Sequence, residues 1–254
     1  MFAFGQRFAA AWAVILIAAC SSPAPSVIDT GGGGGGSTGG EDPGGGGGTG
    51  GGDPPPPTTA LFVATAAEKL DYQTLFKPAV TAMVSSAVVD GNPTMLSILP
   101  SGGSVDYLGF IELLIGGSAA SANVAAPITL SLGFDSLAMT GSATGFMGTA
   151  IDENLEEQLV NYAGTIQISD GLVSVGTGGT AAVSLDVDGS LDSGLHVFGV
   201  DGTLVGYLFG PAGEGLRVRG SNTSIDGSMV TTIDGAAGLI GVGTISAMAA
   251  PTTP

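Results

Sequence analysis

Ile128-Thr129-Leu130-Ser131-Leu132-Gly133-Phe134-Asp135 alternates apolar and polar or small residues without a break. A period of two puts one set of side chains on a buried face and the other in water, the pattern of an antiparallel strand with one solvated side. The same alternation returns at Val183, Leu185 and Val187 against Ser184, Asp186 and Asp188. It is present again at Tyr107, Gly109, Ile111, Leu113 and Ile115. Read outward from these runs, the chain predicts about eight strands, at 104–115, 127–134, 136–143, 161–169, 180–188, 195–208, 214–220 and 238–247. The gap 148–160 reads as an acidic loop with Asp152, Glu153, Glu156 and Glu157.

Asp-Gly punctuates the pattern, at Asp90, Asp170, Asp188, Asp201, Asp226 and Asp234. Both central residues of a type I′ turn need φ > 0, which Asp-Gly tolerates, so each pair is expected to join two neighbouring strands. Eight strands linked in sequence can close into an up-and-down barrel, which leaves no free edge. A transmembrane barrel needs a lipid-facing apolar band and aromatic girdles. Here the outward phase is Ser, Thr, Asp and Gly, and aromatics make up 6% of the chain. The expected fold is therefore all-β: a water-soluble antiparallel eight-stranded up-and-down barrel over residues 104–250, filled by Leu, Val, Ile and Phe.

Residues 60–103 are a lead-in with two readings. Val80, Met83, Val84, Ala87 and Val88 have helical spacing, with Pro78 placed for a first turn. Val84–Val89 and Thr94–Leu99 instead flank Asp90-Gly91-Asn92-Pro93 as two strands about a turn. The second, irregular and partly β reading is preferred.

Before the lead-in lies a low-complexity stretch. Of the 46 glycines, 16 fall between Gly31 and Gly52, and Pro54–Pro57 follows. Glycine runs bury no apolar surface and lose the most entropy on ordering, so residues 20–59 are expected to form a disordered tether. A Gly-rich chain of this length spans about 34 Å, on a scaling of roughly 5.5 Å × √n. Residues 1–19 read as a secretory signal: Arg7, then an apolar run from Phe8 to Ala19 that is too short to cross a bilayer. The run ends Ile17-Ala18-Ala19-Cys20, which resembles the bacterial lipobox. The small residues admit the peptidase, and the thiol of Cys20 takes the lipid. An ordinary signal peptide with an incidental cysteine, or an uncleaved anchor, is the competing reading. Ser21 rather than Asp follows the cysteine, which by resemblance to Gram-negative lipoprotein sorting favours the outer membrane.

Composition excludes several function classes. After signal cleavage 22 acidic and 4 basic side chains remain, a net charge of about −18. That argues against a nucleic-acid binder, which needs a basic stripe along the phosphates. One Cys and one His leave no disulfide within the chain and no multi-Cys or multi-His metal site. Neither a Gly-x-Ser-x-Gly elbow nor a His-Glu-x-x-His motif occurs. His196 lies in a predicted strand and is expected to be structural. Asp186, Asp188 and Asp192 hint at calcium, but they lack the spacing of a calcium loop and read better as solvated carboxylates. Gly176, Gly178 and Gly179 lack the strand–loop–helix context of a phosphate site. Arg217 and Arg219 share one strand face, where acidic neighbours or a ligand would pair with them. No catalytic residue, metal site or cofactor is expected.

A family resemblance rests on short motifs. Gly206-Tyr207-Leu208-Phe209-Gly210-Pro211, followed by Glu214-Gly215, resembles a signature of the transferrin-binding protein B-like barrel domain. Tyr162-Ala163-Gly164-Thr165 with Asp170-Gly171, and Gly241-Val242-Gly243, are similar to it as well. Lipobox, Gly-rich tether and C-terminal barrel match the family's layout, and a single barrel after a lead-in is closer to the factor H-binding relatives. Leu216 stands where the family has a second glycine, and the loop after Pro211 is shorter. The resemblance implies a surface lipoprotein that binds an iron carrier or host protein, with a TonB-dependent receptor as companion. The charge adds a preference for a basic partner. The alternatives are a carrier of haem or a lipophile inside the barrel, and a passive structural envelope lipoprotein.

Overall fold

The computed structural model describes residues 60–85, 91–118, 120–151, 156–223 and 227–250. The signal segment, Cys20 and the tether lie outside the described residues, as do Asp90 and Asp226. The lead-in opens with α1 (Ala66–Asp71), a π-helical turn (Tyr72–Phe76) and α2 (Lys77–Val84). The strands are β1 (Ser104–Gly116), β2 (Ser121–Gly133), β3 (Ala138–Ile151), β4 (Glu157–Val175) and β5 (Ala181–Asp192). They continue as β6 (Val197–Phe209), β7 (Gly215–Ser221), β8 (Ser228–Ile233), β9 (Ala236–Ala237) and β10 (Ile240–Ala249).

Every pairing is antiparallel. β1 to β6 pair in sequence, and β10 joins β7 to β1. β6 holds β7 along Val205–Phe209 and β8 along Phe198–Thr203, so β7 and β8 are two pieces of one barrel strand. β9 and β10 follow one another in the same way, and the ring closes with eight strand positions.

Alternation sets the core. In β1 the inward residues are Tyr107, Gly109, Ile111, Leu113 and Ile115, and all five are buried. Leu130, Leu132, Met139, Phe146, Leu185 and Phe198 meet them inside, each less than 2% exposed. Each such side chain contributes about 1.5–3 kcal/mol on leaving water.

Several expectations need correction. The lead-in, read as irregular and partly β, is helical from Ala66 to Val84; the reading holds on either side, where Val63, Pro93 and Met95 make isolated β-bridges to the barrel. A capping box starts it: Glu68 N donates to Thr65 Oγ1 (3.3 Å) and Thr65 N donates to Glu68 Oε2 (2.7 Å). Pro78 sits in the first turn of α2, where a missing N–H costs nothing. The helical spacing holds as far as Val80 and Met83, which are buried against the outside of the barrel. There Phe76 meets Phe110 edge-on at 5.3 Å. Glu112 is half-buried under this cover, and desolvation raises its carboxyl above the usual range. β3 and β4 run on into the gap read as a loop, leaving only 152–156 between them.

Only one Asp-Gly pair within the described residues turns a hairpin. Asp234 and Gly235 take φ of 52° and 80° between β8 and β9, the type I′ geometry. Asp188-Gly189 and Asp201-Gly202 lie inside strands, paired with one another across β5 and β6. Asp170 has φ of 46° at a register shift in β4, a bulge rather than a turn.

Candidate functional site

The barrel has two ends. The first gathers the β2–β3, β4–β5 and β6–β7 turns, and the second gathers the β1–β2, β3–β4, β5–β6 and β8–β9 turns. Their surfaces, the outer wall and the interior are the places where a ligand can act.

The first end is stitched by the lead-in. Thr94 N donates to Leu208 O (2.8 Å) and Ala181 N to Thr94 O (2.7 Å), so this residue bridges β5 and β6 where their own pairing stops. Thr94 Oγ1 donates to Gly210 O (2.6 Å), and Tyr107 Oη to Gly213 O (2.6 Å). Burial pushes the Tyr107 phenol well above its ordinary pKa, with the Glu214 charge adding to the shift. Leu96 and Leu99 lie against the core beneath these bonds. Outside them, Gly91–Met95, Ile98, Gly210 and Pro211 line an open groove of about 450 Å³.

The second end is tied differently. Phe62 N donates to Ser193 O (2.8 Å), Ala64 N to Leu159 O (2.8 Å) and Asn161 N to Phe62 O (2.9 Å). His196 Nδ1 meets Asp234 Oδ2 at 2.7 Å, joining the β5–β6 turn to the β8–β9 turn. Asp234 Oδ1 also accepts from Val197 N (2.9 Å). That backbone bond, and then the histidine, hold the Asp234 carboxyl below its usual range. Ser193 Oγ accepts from His196 N (3.0 Å) and donates to His196 O (3.1 Å), so it bonds the backbone of the histidine and not its ring. His196 is a turn fastener, and it stands in the β5–β6 turn rather than in a strand.

The other candidate residues divide in the same way. Asp186 accepts a hydrogen bond from Thr203 Oγ1 (2.8 Å), and Asp192 Oδ1 accepts from Gly194 N (2.7 Å). Among the described residues no three or more His, Cys, Asp or Glu converge on a metal position. Gly178 and Gly179 form the tight β4–β5 turn, with a strand and no helix after it. Arg217 and Arg219 do share the outer face of β7. Arg219 is exposed, with no carboxylate in ion-pair reach among the described residues.

The motif residues also have structural work. A Cβ on Gly206 would collide with the carbonyl of Arg217 across the β6–β7 ladder. Gly210 has φ of 90° at the start of the β6–β7 turn, where Ala212 N donates to Glu214 Oε2 (2.9 Å). The Gly-Pro…Glu-Gly run therefore builds a turn.

Sequence reasoning missed Tyr107–Gly213 and Thr94–Gly210, because each joins residues more than 100 positions apart. It also missed an apolar stretch of outer wall near the second end. Leu114 lies opposite Val242 on one side and Asn123 on the other, and Thr149 and Leu159 complete the row. Ile240 and Ile151 stand in the row beyond. The outward phase of Leu114, Val242 and Ile240 was the available signal.

No family model matches the chain, and no curated protein matches it. Among solved structures it is similar to intact Ap-TbpB (N and C lobes), at 14% identity and a TM-score of 0.34. The match covers 63% of this chain and 29% of that one. The fold assignment rests on the strand pairing itself.

Proposed function

We propose that this protein is a non-enzymatic lipoprotein, anchored in a Gram-negative outer membrane through Cys20, whose barrel binds a protein partner at the cell surface. The observation that carries the reading is the filled interior: the inward side chains of the eight strands meet one another, so recognition falls to the outer wall and turns. A carrier of haem or a lipophile needs a concave pocket of roughly 300–1,000 Å³ that encloses its ligand. The groove of about 450 Å³ at the first end, and a second of about 310 Å³ lined by Leu114, Asn123, Thr149 and Ile151, lie on the outside. The lipobox at 17–20 and the glycine tether supply the anchor and the reach. The net charge of about −18 would steer a basic partner, an effect screened by salt. An iron carrier, another host protein or a TonB-dependent receptor is the precedent set by the resemblance.

Protease shaving of intact cells, with cross-linking before lysis, tests this reading. The expected result is loss of residues 60–250 from the cell surface and a cross-linked protein that disappears at high salt. A barrel protected in intact cells removes the surface reading. A cross-link insensitive to salt removes charge steering and leaves partner binding standing.

A further inference from the structure

We propose that the outer wall at the second end of the barrel, built from Leu114, Val242, Ile240, Leu239 and Ile151, seats on the headgroup layer of the bilayer that holds the anchor. The inference rests on the lipid-anchor reading of Cys20 and adds an orientation to it.

Two observations and one physical argument converge on this wall. The first is its composition. Exposed aliphatic side chains also occur on other strands, as at Leu172, Val175 and Val230, but here four of them lie at one end of the barrel: Leu239 is 68%, Ile151 51%, Ile240 47% and Leu114 43% exposed. The register makes the stretch contiguous: Val242, Leu114, Asn123, Thr149 and Leu159 form one row across five strands. Ile240 and Ile151 belong to the next row, and a shallow groove of about 310 Å³ runs between Leu114, Asn123 and Ile151.

The second is where the described chain begins. Phe62 to Ala64 are hydrogen-bonded to Ser193, Leu159 and Asn161, so the barrel is entered beside this wall. Val63 bridges Val160, next to Leu159, and is itself 47% exposed. The described chain therefore begins at the second end, while the open groove of Pro93 and Pro211 lies at the first.

The third is mass action. A few half-exposed aliphatic side chains bind a bilayer weakly from solution. On the tether reading of residues 20–59, a span of about 34 Å would hold the wall at an effective concentration on the order of millimolar, which would populate contacts too weak to see untethered. Glu157 lines the same groove, so the contact favours zwitterionic lipid over an anionic surface.

The mature chain contains no tryptophan, because its single Trp lies in the signal segment as Trp12. That permits a direct test. Leu239→Trp and Ile98→Trp report on the second and first ends, and both positions are exposed. Each acylated protein is reconstituted into phosphatidylcholine vesicles containing a brominated phosphatidylcholine. The expected result is quenched, blue-shifted emission at 239 and unquenched emission at 98. Adding Leu114→Ser and Ile240→Ser should reduce the quenching at 239 with the circular dichroism unchanged, and replacing part of the lipid with phosphatidylglycerol should weaken it. Unquenched emission at 239 with Cys20 acylated by mass spectrometry overturns the seat alone. So does equal quenching at both positions, or a blue shift without quenching, which means a second copy covers the wall. An unacylated Cys20 removes the anchor reading and the seat together.

Discussion

The two ends of the barrel are closed by different chemistry. At the first, Tyr107 and Thr94, both buried, place hydroxyl donors on the carbonyls of the β6–β7 turn, with Leu96 and Leu99 packed against the core beside them. At the second, an exposed histidine–aspartate contact and a short run of backbone bonds do the tying. A buried hydrogen bond is costly to break because its abandoned partner cannot turn to water, whereas an exposed pair loses little. The first end should therefore dominate the stability of closure, and the second should open more easily.

The largest effect is expected from Tyr107→Ala, which empties a core position and strands the Gly213 carbonyl. Equilibrium denaturation should show a loss of about 3–5 kcal/mol, as for other large aromatic truncations. Tyr107→Phe keeps the ring and removes the hydroxyl, so about 1–3 kcal/mol is expected. Thr94→Val, nearly isosteric, should cost about 1–2 kcal/mol by leaving the Gly210 carbonyl without its donor. Exchange of the amides of Ala181 and Thr94 should rise with it.

Changes at the second end should be smaller. Asp234→Asn is expected to cost less than about 1 kcal/mol, because the contact is exposed and screened. Its pH dependence has a definite sign. The folded state lowers the Asp234 carboxyl from its ordinary 3.8. Its contribution is therefore complete above that value and is lost as pH falls through the lower folded value. Asp234→Asn and the parent should differ at neutral pH and converge in strong acid. A loss at Asp234 as large as that at Tyr107 would reverse the ranking of the ends.

Legibility followed the range of the interaction. Inward and outward faces of β1, β2 and β5 were readable because a strand's period is local, and Tyr107, Ile128 and Val183 fell on the buried side as the alternation requires. Seven of the eight predicted strands begin within four residues of their observed starts, the usual slack in element boundaries, and the eighth, β2, begins six residues earlier than predicted. β8 was missed, since Met229, Thr231 and Ile233 place a hydroxyl in the inward phase and blur the signal. Asp-Gly misled because the dipeptide's tolerance of φ > 0 also serves bulges, as at Asp170. In the lead-in, Val80 and Met83 gave a true helical signal, but β-branched neighbours and a turn dipeptide argued the other way. Closure by Tyr107 and Thr94 was invisible, because no local pattern specifies a partner a hundred residues distant.

The filled interior, with function on the outer wall, is tested most directly by native mass spectrometry of the protein extracted from its own membranes, recorded beside its visible absorption. The expected species is the acylated chain beginning at Cys20, with no further small molecule and no visible band. A stoichiometric haem, or a lipid that stays bound after Leu114→Ser and Ile240→Ser have altered the outer wall, would contradict it.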